Sequence, residues 1–420
     1  MKTKAVRLHG KDDLRLEEFD LPAIKPDEIL ARVISDSICM SSYKATKLGA
    51  DHRRVPNNVH EKPIIIGHEF SGTIIEVGKK WKSKYKQGNK FSIQPALNYR
   101  GKLDAPGYSY QYIGGDATFI IIPNEVMEMD CLLEYYGNSF YMASLSEPMS
   151  CIIGAFHSSF HTNNNNHTHN MGIKENGAMA ILAGVGPMGL GAIDYAIHCN
   201  RRPKLVIVTD IDDERLKRAA KIHTREEAAK NGVRLVYLNT LNQVNVVEYI
   251  KSFNDGISFD DIFVFAPLRQ LVEQADQILG FDGCLNLFAG PSNPAFKAEF
   301  NFYNVHYSSS HIVGTSGGNT DDMREALDMM SKGLINPAVM VTHIGGLDAV
   351  AETTKNLPDI PGGKKLIYTN VSLPLTALSD FELMGKTDPF FNKLHKLVNK
   401  NNGIWSDEAE KYLLQHANKI

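Results

Sequence analysis

A chain of 420 residues is too long for one ordinary hydrophobic core, so two domains are expected. Its residues are 43 % hydrophobic and 22 % charged, the balance of a soluble globular protein, and no run of about 18 apolar residues suggests a membrane span. Forty-five basic against 48 acidic residues leave no global field to hold nucleic acid or an anionic membrane, which points to small molecules or protein partners.

The N-terminal segment MKTKAVRLHGKDDLRLEEF lacks the apolar core of a signal peptide, so a cytoplasmic location is expected. The first third then reads as strands and turns: KAVRLHG, DLRLEEF, EILARVISDSIC and IIIGHEFSGTIIEVG, with DATFIIIP closing a glycine-rich loop. The run IIIGHEFSG ends a buried strand in two ionisable groups, His68 and Glu69, between Gly67 and Gly72. A core strand needs neither, so a polar partner or a metal must receive them. Cys39 and Glu147 complete a set of sulfur, nitrogen and oxygen donors of the kind zinc accepts, although their separations specify nothing by themselves. The five cysteines, at 39, 131, 151, 199 and 284, form no CxxC pair and suggest no disulfide framework.

Residues 157–177, HSSFHTNNNNHTHNMGIKENG, are too polar for a core and read as a solvated loop at a domain junction. From residue 178 apolar runs alternate with helical patterns: AMAILAG, KLVIVTD, VRLVYL, DDIFVFA and GCLNLFAG are each a strand, which implies a parallel sheet covered on both faces. The first of these runs into Gly184, Gly186 and Gly189 as GxGxxG, with Pro187 and Met188 between the last two glycines and a helix beyond. Such a turn brings backbone N–H groups and a helix N-terminus to a pyrophosphate. Asp210 ends the next strand, 21 residues past Gly189, where a carboxylate accepts from ribose hydroxyls and favours NAD(H). Arg215 is near enough to tolerate the extra phosphate of NADP(H). Patterns after residue 305 are mixed again, so the expected domains are 1–157, completed by about 305–420, and a nucleotide-binding domain at 158–304. The last stretch, 371–420, reads as extra helix with no assigned chemistry.

The segments SICMSS, GHEFSGTIIEVG, SEPMS and AGVGPMGLGA stand in the order found in the zinc-dependent medium-chain dehydrogenase/reductase family, the alcohol and polyol dehydrogenases, which residues 1 to about 370 resemble. The segments GVGPMGLGAIDYA, LNLFAGP and NFYNVHYSSSHIVGTSGGNTDDM are similar to a branch of it acting on ketose and polyol phosphates. The resemblance implies a GroES-like, mostly β catalytic domain joined to a Rossmann domain. It makes Cys39 and His68 zinc ligands, with Glu69 or Glu147 as the carboxylate, and Ser41 a proton relay to the substrate oxygen. It implies reversible hydride transfer with NAD(H), or NADP(H), zinc acting as a Lewis acid, and a homodimer or homotetramer. A zinc-free reductase of the same fold, or a non-catalytic nucleotide sensor, would not need Cys39, His68 and an acid together.

Two departures from the family pattern bear on the site. Cys39-Met40-Ser41-Ser42 replaces Cys-Gly-Ser-Asp, removing an acid near the metal and placing Met40 where it would narrow the pocket. The four cysteines of the family's structural zinc lobe are absent between 88 and 118, so one zinc per chain is expected. Lys44, Arg53, Arg54, Arg100 and Lys102 are candidate donors to a substrate phosphate.

Overall fold

The computed structural model describes residues 1–162 and 167–420. The chain forms two compact units, one of Met1–Pro148, Asn319–Gly333 and Pro337–Ile420, the other of Met149–Gly318 and Leu334–Asn336. The chain leaves the first unit within the helix Ser146–Ser158, not in the polar segment that follows it. No helix among the described residues is long and apolar enough to cross a membrane.

In the first unit a hairpin of Lys2–Gly10 and Asp13–Asp20 pairs with Ile64–Ile65. The larger sheet has Ile29–Ile38 at its centre, with Ser71–Val77 antiparallel along one edge and, along the other, Phe119–Ile122 against its first half and Lys364–Tyr368 against its second. Nine of the ten residues of Ile29–Ile38 are buried, so this strand packs on both faces and shows no alternation in its sequence. Pairing of Lys365 with Ile38 and Leu366 with Ser37 carries Lys364 to the level of Cys39. Phe70 and Phe91, both fully buried, meet edge to face with centroids 6.4 Å apart inside this core.

The stretch 371–420 supplies the helices Phe381–Met384, Pro389–Lys400 and Asp407–His416. Trp405 is fully buried and its indole N–H donates to the Tyr368 hydroxyl at 2.7 Å. The Glu410 carboxylate accepts the backbone N–H groups of Phe140, at 2.9 Å, and Tyr141, at 3.1 Å, which open the short helix Phe140–Ser144. Ser139, the N-cap of that helix, instead donates its hydroxyl to Asp407 at 2.6 Å. The tail therefore caps a helix 270 residues earlier, replacing the usual local cap.

The second unit is a six-stranded parallel sheet in the order Arg234–Asn239, Leu205–Asp210, Ala178–Leu182, Phe259–Val264, Leu279–Leu287, His311–Val313. All of Ala178–Leu182 is buried, as expected of a strand covered by helices on both faces. The chain moves outward from this strand one way and then crosses back to build the other half. The reversal puts a crevice at its carboxyl end.

The polar segment at 157–177 is not the solvated loop its composition predicts. Phe160–Thr162 and His169–Met171 form an antiparallel ribbon, and His161 is only 5 % exposed. Its two ring nitrogens meet the Asp282 carbonyl at 2.8 Å and the Asp261 carboxylate at 3.1 Å, which makes burial of the imidazole affordable. The asparagine run 163–166 of that segment lies outside the described residues.

Candidate metal centre and nucleotide site

Cys39 follows the central strand directly and is the N-cap of the helix Met40–Leu48, which places Ser41 and Ser42 on its first turn. Met40 begins that helix and is 44 % exposed. His68 and Glu69 are reached through Gly67, whose φ of +88° lies in the left-handed region. A Cβ there would stand 2.6 Å from the Asp36 carboxylate, so glycine is needed both for the turn and for the space. His68 and Glu69 are buried and Cys39 is partly so. A thiol sulfur, an imidazole nitrogen and a carboxylate oxygen from these three residues lie within 4.8 Å of one another.

Each donor is oriented by a neighbour. His68 Nδ1 pairs with the Ser42 hydroxyl at 3.3 Å, so the serine that replaces the family's acid still steers the ring. The other nitrogen, Nε2, faces the hydroxyls of Ser41 and Tyr108, each at 3.2 Å. Ser41 Oγ also lies 3.0 Å from Cys39 Sγ. Burial lowers the proton affinity of His68, which favours the neutral, ligating imidazole, and pushes the Cys39 thiol up.

Lys364 contacts both oxygens of Glu69, one at 2.6 Å, and Ser37 donates to one of them. Burial works to raise the Glu69 carboxyl, but the Lys364 ammonium, with hydrogen bonds from Lys364 and Ser37, holds it below the usual carboxylate value. Glu147, in the first turn of its helix, is pushed up to about 7 by burial and then by the Glu69 charge. Sulfur, imidazole nitrogen and carboxylate oxygen suit zinc, whose tetrahedral ligand edges are about 3.3–3.8 Å, so the set fits the ion with shifts of about 1 Å. Among the described residues this is the one such group.

Sequence reasoning missed Lys364, Ser37 and Tyr108. The available signal for Lys364 was the doublet KK opening the strand KKLIY, where both lysines are buried. For Tyr108 no local pattern exists. Among the candidate phosphate donors, Arg53, Arg100 and Lys102 are exposed, whereas Lys44 and Arg54 are partly buried.

In the second unit, Ala178–Leu182 turns through Gly184 into the helix Pro187–His198, with Gly186 as N-cap and Pro187 and Met188 as its first residues. A Cβ on Gly189 would approach the Gly184 carbonyl oxygen to 2.1 Å, so the helix and the turn touch through backbone alone. A Cβ on Gly186 would meet nothing within 4 Å, which leaves the helix N-terminus open to a phosphate group. Asp210 ends its strand, and its carboxylate accepts from the N–H of Ile211 at 2.8 Å and of Asp212 at 3.2 Å. Arg215 lies on the first turn of the helix Asp213–Ile222, its side chain largely exposed and 3.5 Å from Asp212.

Residues 25–129 match the alcohol dehydrogenase GroES-like domain family, and residues 187–332 the zinc-binding dehydrogenase family. The chain is 53 % identical to the uncharacterized protein YggP of Escherichia coli K12, over 99 % of this chain and 97 % of that one. It is 50 % identical to mannitol-1-phosphate 5-dehydrogenase of Aliivibrio fischeri, over 99 % and 98 %. With L-sorbose 1-phosphate reductase of Klebsiella pneumoniae it shares 48 % over 100 % and 98 %. The chain belongs to the zinc-type medium-chain dehydrogenase/reductase family. This dehydrogenase shares its fold with 2R,3R-butanediol dehydrogenase of Bacillus subtilis, at a TM-score of 0.70 and 21 % identity, over 88 % of this chain and 100 % of that one. The dehydrogenase is thus an oxidoreductase of the family that uses zinc and a nicotinamide cofactor.

Proposed function

We propose that this enzyme reduces a phosphorylated ketose, foremost L-sorbose 1-phosphate to D-glucitol 6-phosphate, using NADH in preference to NADPH, in the cytoplasm and as a homodimer or homotetramer. The reaction class rests on the set of Cys39, His68 and Glu69, with Ser41 in reach of two of its donors. The substrate class is supported by the names of the relatives at 50 % and 48 % identity, both of which carry a sugar or polyol phosphate.

Cys39, His68 and Glu69 would hold one zinc ion per chain, with Glu147 alongside as a second carboxylate. When bound, zinc supplies Lewis acidity toward the substrate oxygen, and the nicotinamide supplies the hydride. The residues do the rest. Ser42 holds the His68 ring through Nδ1, which leaves Nε2 to ligate. Lys364 offsets the Glu69 charge, so the donor set carries less net negative charge and supports developing charge on the substrate oxygen better. Ser41, within reach of both Cys39 and His68, is placed to pass a proton between the substrate oxygen and solvent. Gly186 and the helix behind it would seat the pyrophosphate, and Asp210 the ribose hydroxyls.

The test is a panel of L-sorbose 1-phosphate, mannitol 1-phosphate and their unphosphorylated counterparts, assayed with each cofactor in the productive direction, with and without chelator. Turnover that strongly favours the phosphorylated substrates, with a slower measurable rate on the others, and that is abolished by chelation is expected. Turnover that survives complete removal of zinc sinks the mechanism, and inert phosphorylated sugars sink the substrate assignment.

A further inference from the structure

We propose that Arg54 is the anchor for the substrate's phosphate group. This rests on the reading of a phosphorylated substrate above. The Arg54 guanidinium carbon lies 5.4 Å from the centroid of the Tyr108 ring, and the hydroxyl of that ring reaches His68 Nε2 at 3.2 Å. One aromatic side chain thus separates a cation from a candidate zinc ligand. The same ring is stacked with His52, centroids 5.8 Å apart, which helps fix its plane. The Arg54 backbone is pinned as well, its N–H at 3.3 Å from His52 Nδ1 and its carbonyl accepting from Ser109 at 2.7 Å.

Arg54 has no carboxylate partner among the described residues, and its Nε is buried without a hydrogen-bond acceptor. Five other arginines have acceptors for their side chains: Arg7 and Arg32 bond carbonyl groups, and Arg15, Arg269 and Arg324 bond carboxylates, although Arg7, like Arg54, keeps a buried Nε without a partner. A partly buried guanidinium left without an anion is costly unless a ligand supplies one. Its planar fork matches a phosphate in two-point fashion, which an ammonium does not. Of the other candidates, Arg53 and Lys102 are exposed, the guanidinium of exposed Arg100 lies over Tyr99, and Lys44, partly buried like Arg54, offers an ammonium without the fork.

The experiment uses zinc-loaded, full-length protein and compares kcat/KM for L-sorbose 1-phosphate and mannitol 1-phosphate with that for L-sorbose and mannitol. Arg54→Met is expected to cut kcat/KM for the phosphorylated substrates about 10- to 100-fold, mainly through KM, and to collapse the preference for them. Arg54→Lys, which keeps the charge and loses the fork, is expected to fall between. Arg53→Met is expected to keep the wild-type preference. A wild-type preference that survives in both Arg54 variants overturns the anchor alone. Equal losses on phosphorylated and unphosphorylated substrates also overturn it, because they mark a structural role. A wild-type enzyme with no preference for phosphate overturns the functional reading and the anchor together. Zinc content and melting temperature are measured on the same preparations, and Arg54→Lys carries the test if the methionine variant is poorly folded.

Discussion

The nucleotide loop and the metal centre are built from opposite materials. Around Gly184, Gly186 and Gly189 the candidate working parts are backbone N–H groups, and side chains matter by being absent, from close contacts at Gly184 and Gly189 and from open space at Gly186. At Cys39, His68, Glu69 and Lys364 the working parts are side-chain atoms, each held by another side chain. A site made of backbone is damaged by adding atoms, and a site made of side chains by removing them. The two halves of the enzyme should therefore fail differently.

The sharpest way to break this contrast is at the metal ligands. Cys39→Ser or His68→Ala is expected to lower turnover by about a thousandfold or more and to empty the protein of zinc, while NADH binding, read by its fluorescence, persists. Loss of NADH binding in step with zinc would show that the two sites do not fail separately. Next in size is Lys364→Met, which strands the buried Glu69 carboxylate and is expected to cost about 3–5 kcal/mol in urea unfolding. Adding Glu69→Gln should recover most of that loss, and a double variant no better than the single one would deny the pair its role. On the backbone side, Gly189→Ala forces a methyl group against the Gly184 carbonyl and is expected to cost about 1–3 kcal/mol. Gly186→Ala, with open space around it, should leave the melting temperature alone and weaken only NADH binding. Equal melting temperatures for the two variants would refute the close approach of Gly189.

The smallest effect belongs to a group in neither site. Burial, and then the Lys365 charge, hold the His343 pKa down to about 4, below the ordinary 6.5. The unfolded chain therefore binds the proton more tightly, so the contribution is fully present above about pH 6.5 and is lost as pH falls toward 4. His343→Gln should flatten that part of the stability profile without moving the pH dependence of zinc binding.

What could be read in the sequence follows the same division. GHE and GxGxxG each place their parts within a few residues, so chemistry and spacing appear together. The partners that tune the metal centre do not: Lys364 is 295 residues from Glu69 and Tyr108 is 40 from His68, and neither stands in a motif. The choice between Glu69 and Glu147 stayed open for the same reason, since only the fold shows which carboxylate joins Cys39 and His68 within 4.8 Å. Composition misjudged the segment around His161 because its satisfying groups, Asp261 and Asp282, are at least 100 residues away. The alternating strand and helix pattern after residue 178 was legible because each strand of a parallel sheet is a continuous apolar run.

The late arrival of Lys364 and Trp405 also sets an order of assembly during synthesis. At about 5–20 residues per second, a ribosome needs about 15–60 s to pass from Glu69 to Lys364. Through that interval the strand carrying His68 and Glu69 is already made, but the ammonium that settles Glu69 and the indole beneath Tyr368 are not. The unit that begins first is thus finished last, after the whole nucleotide unit has been synthesised between its parts. A nascent chain truncated before residue 364 would hold its zinc donors with Glu69 left to the Ser37 hydroxyl and without its ammonium.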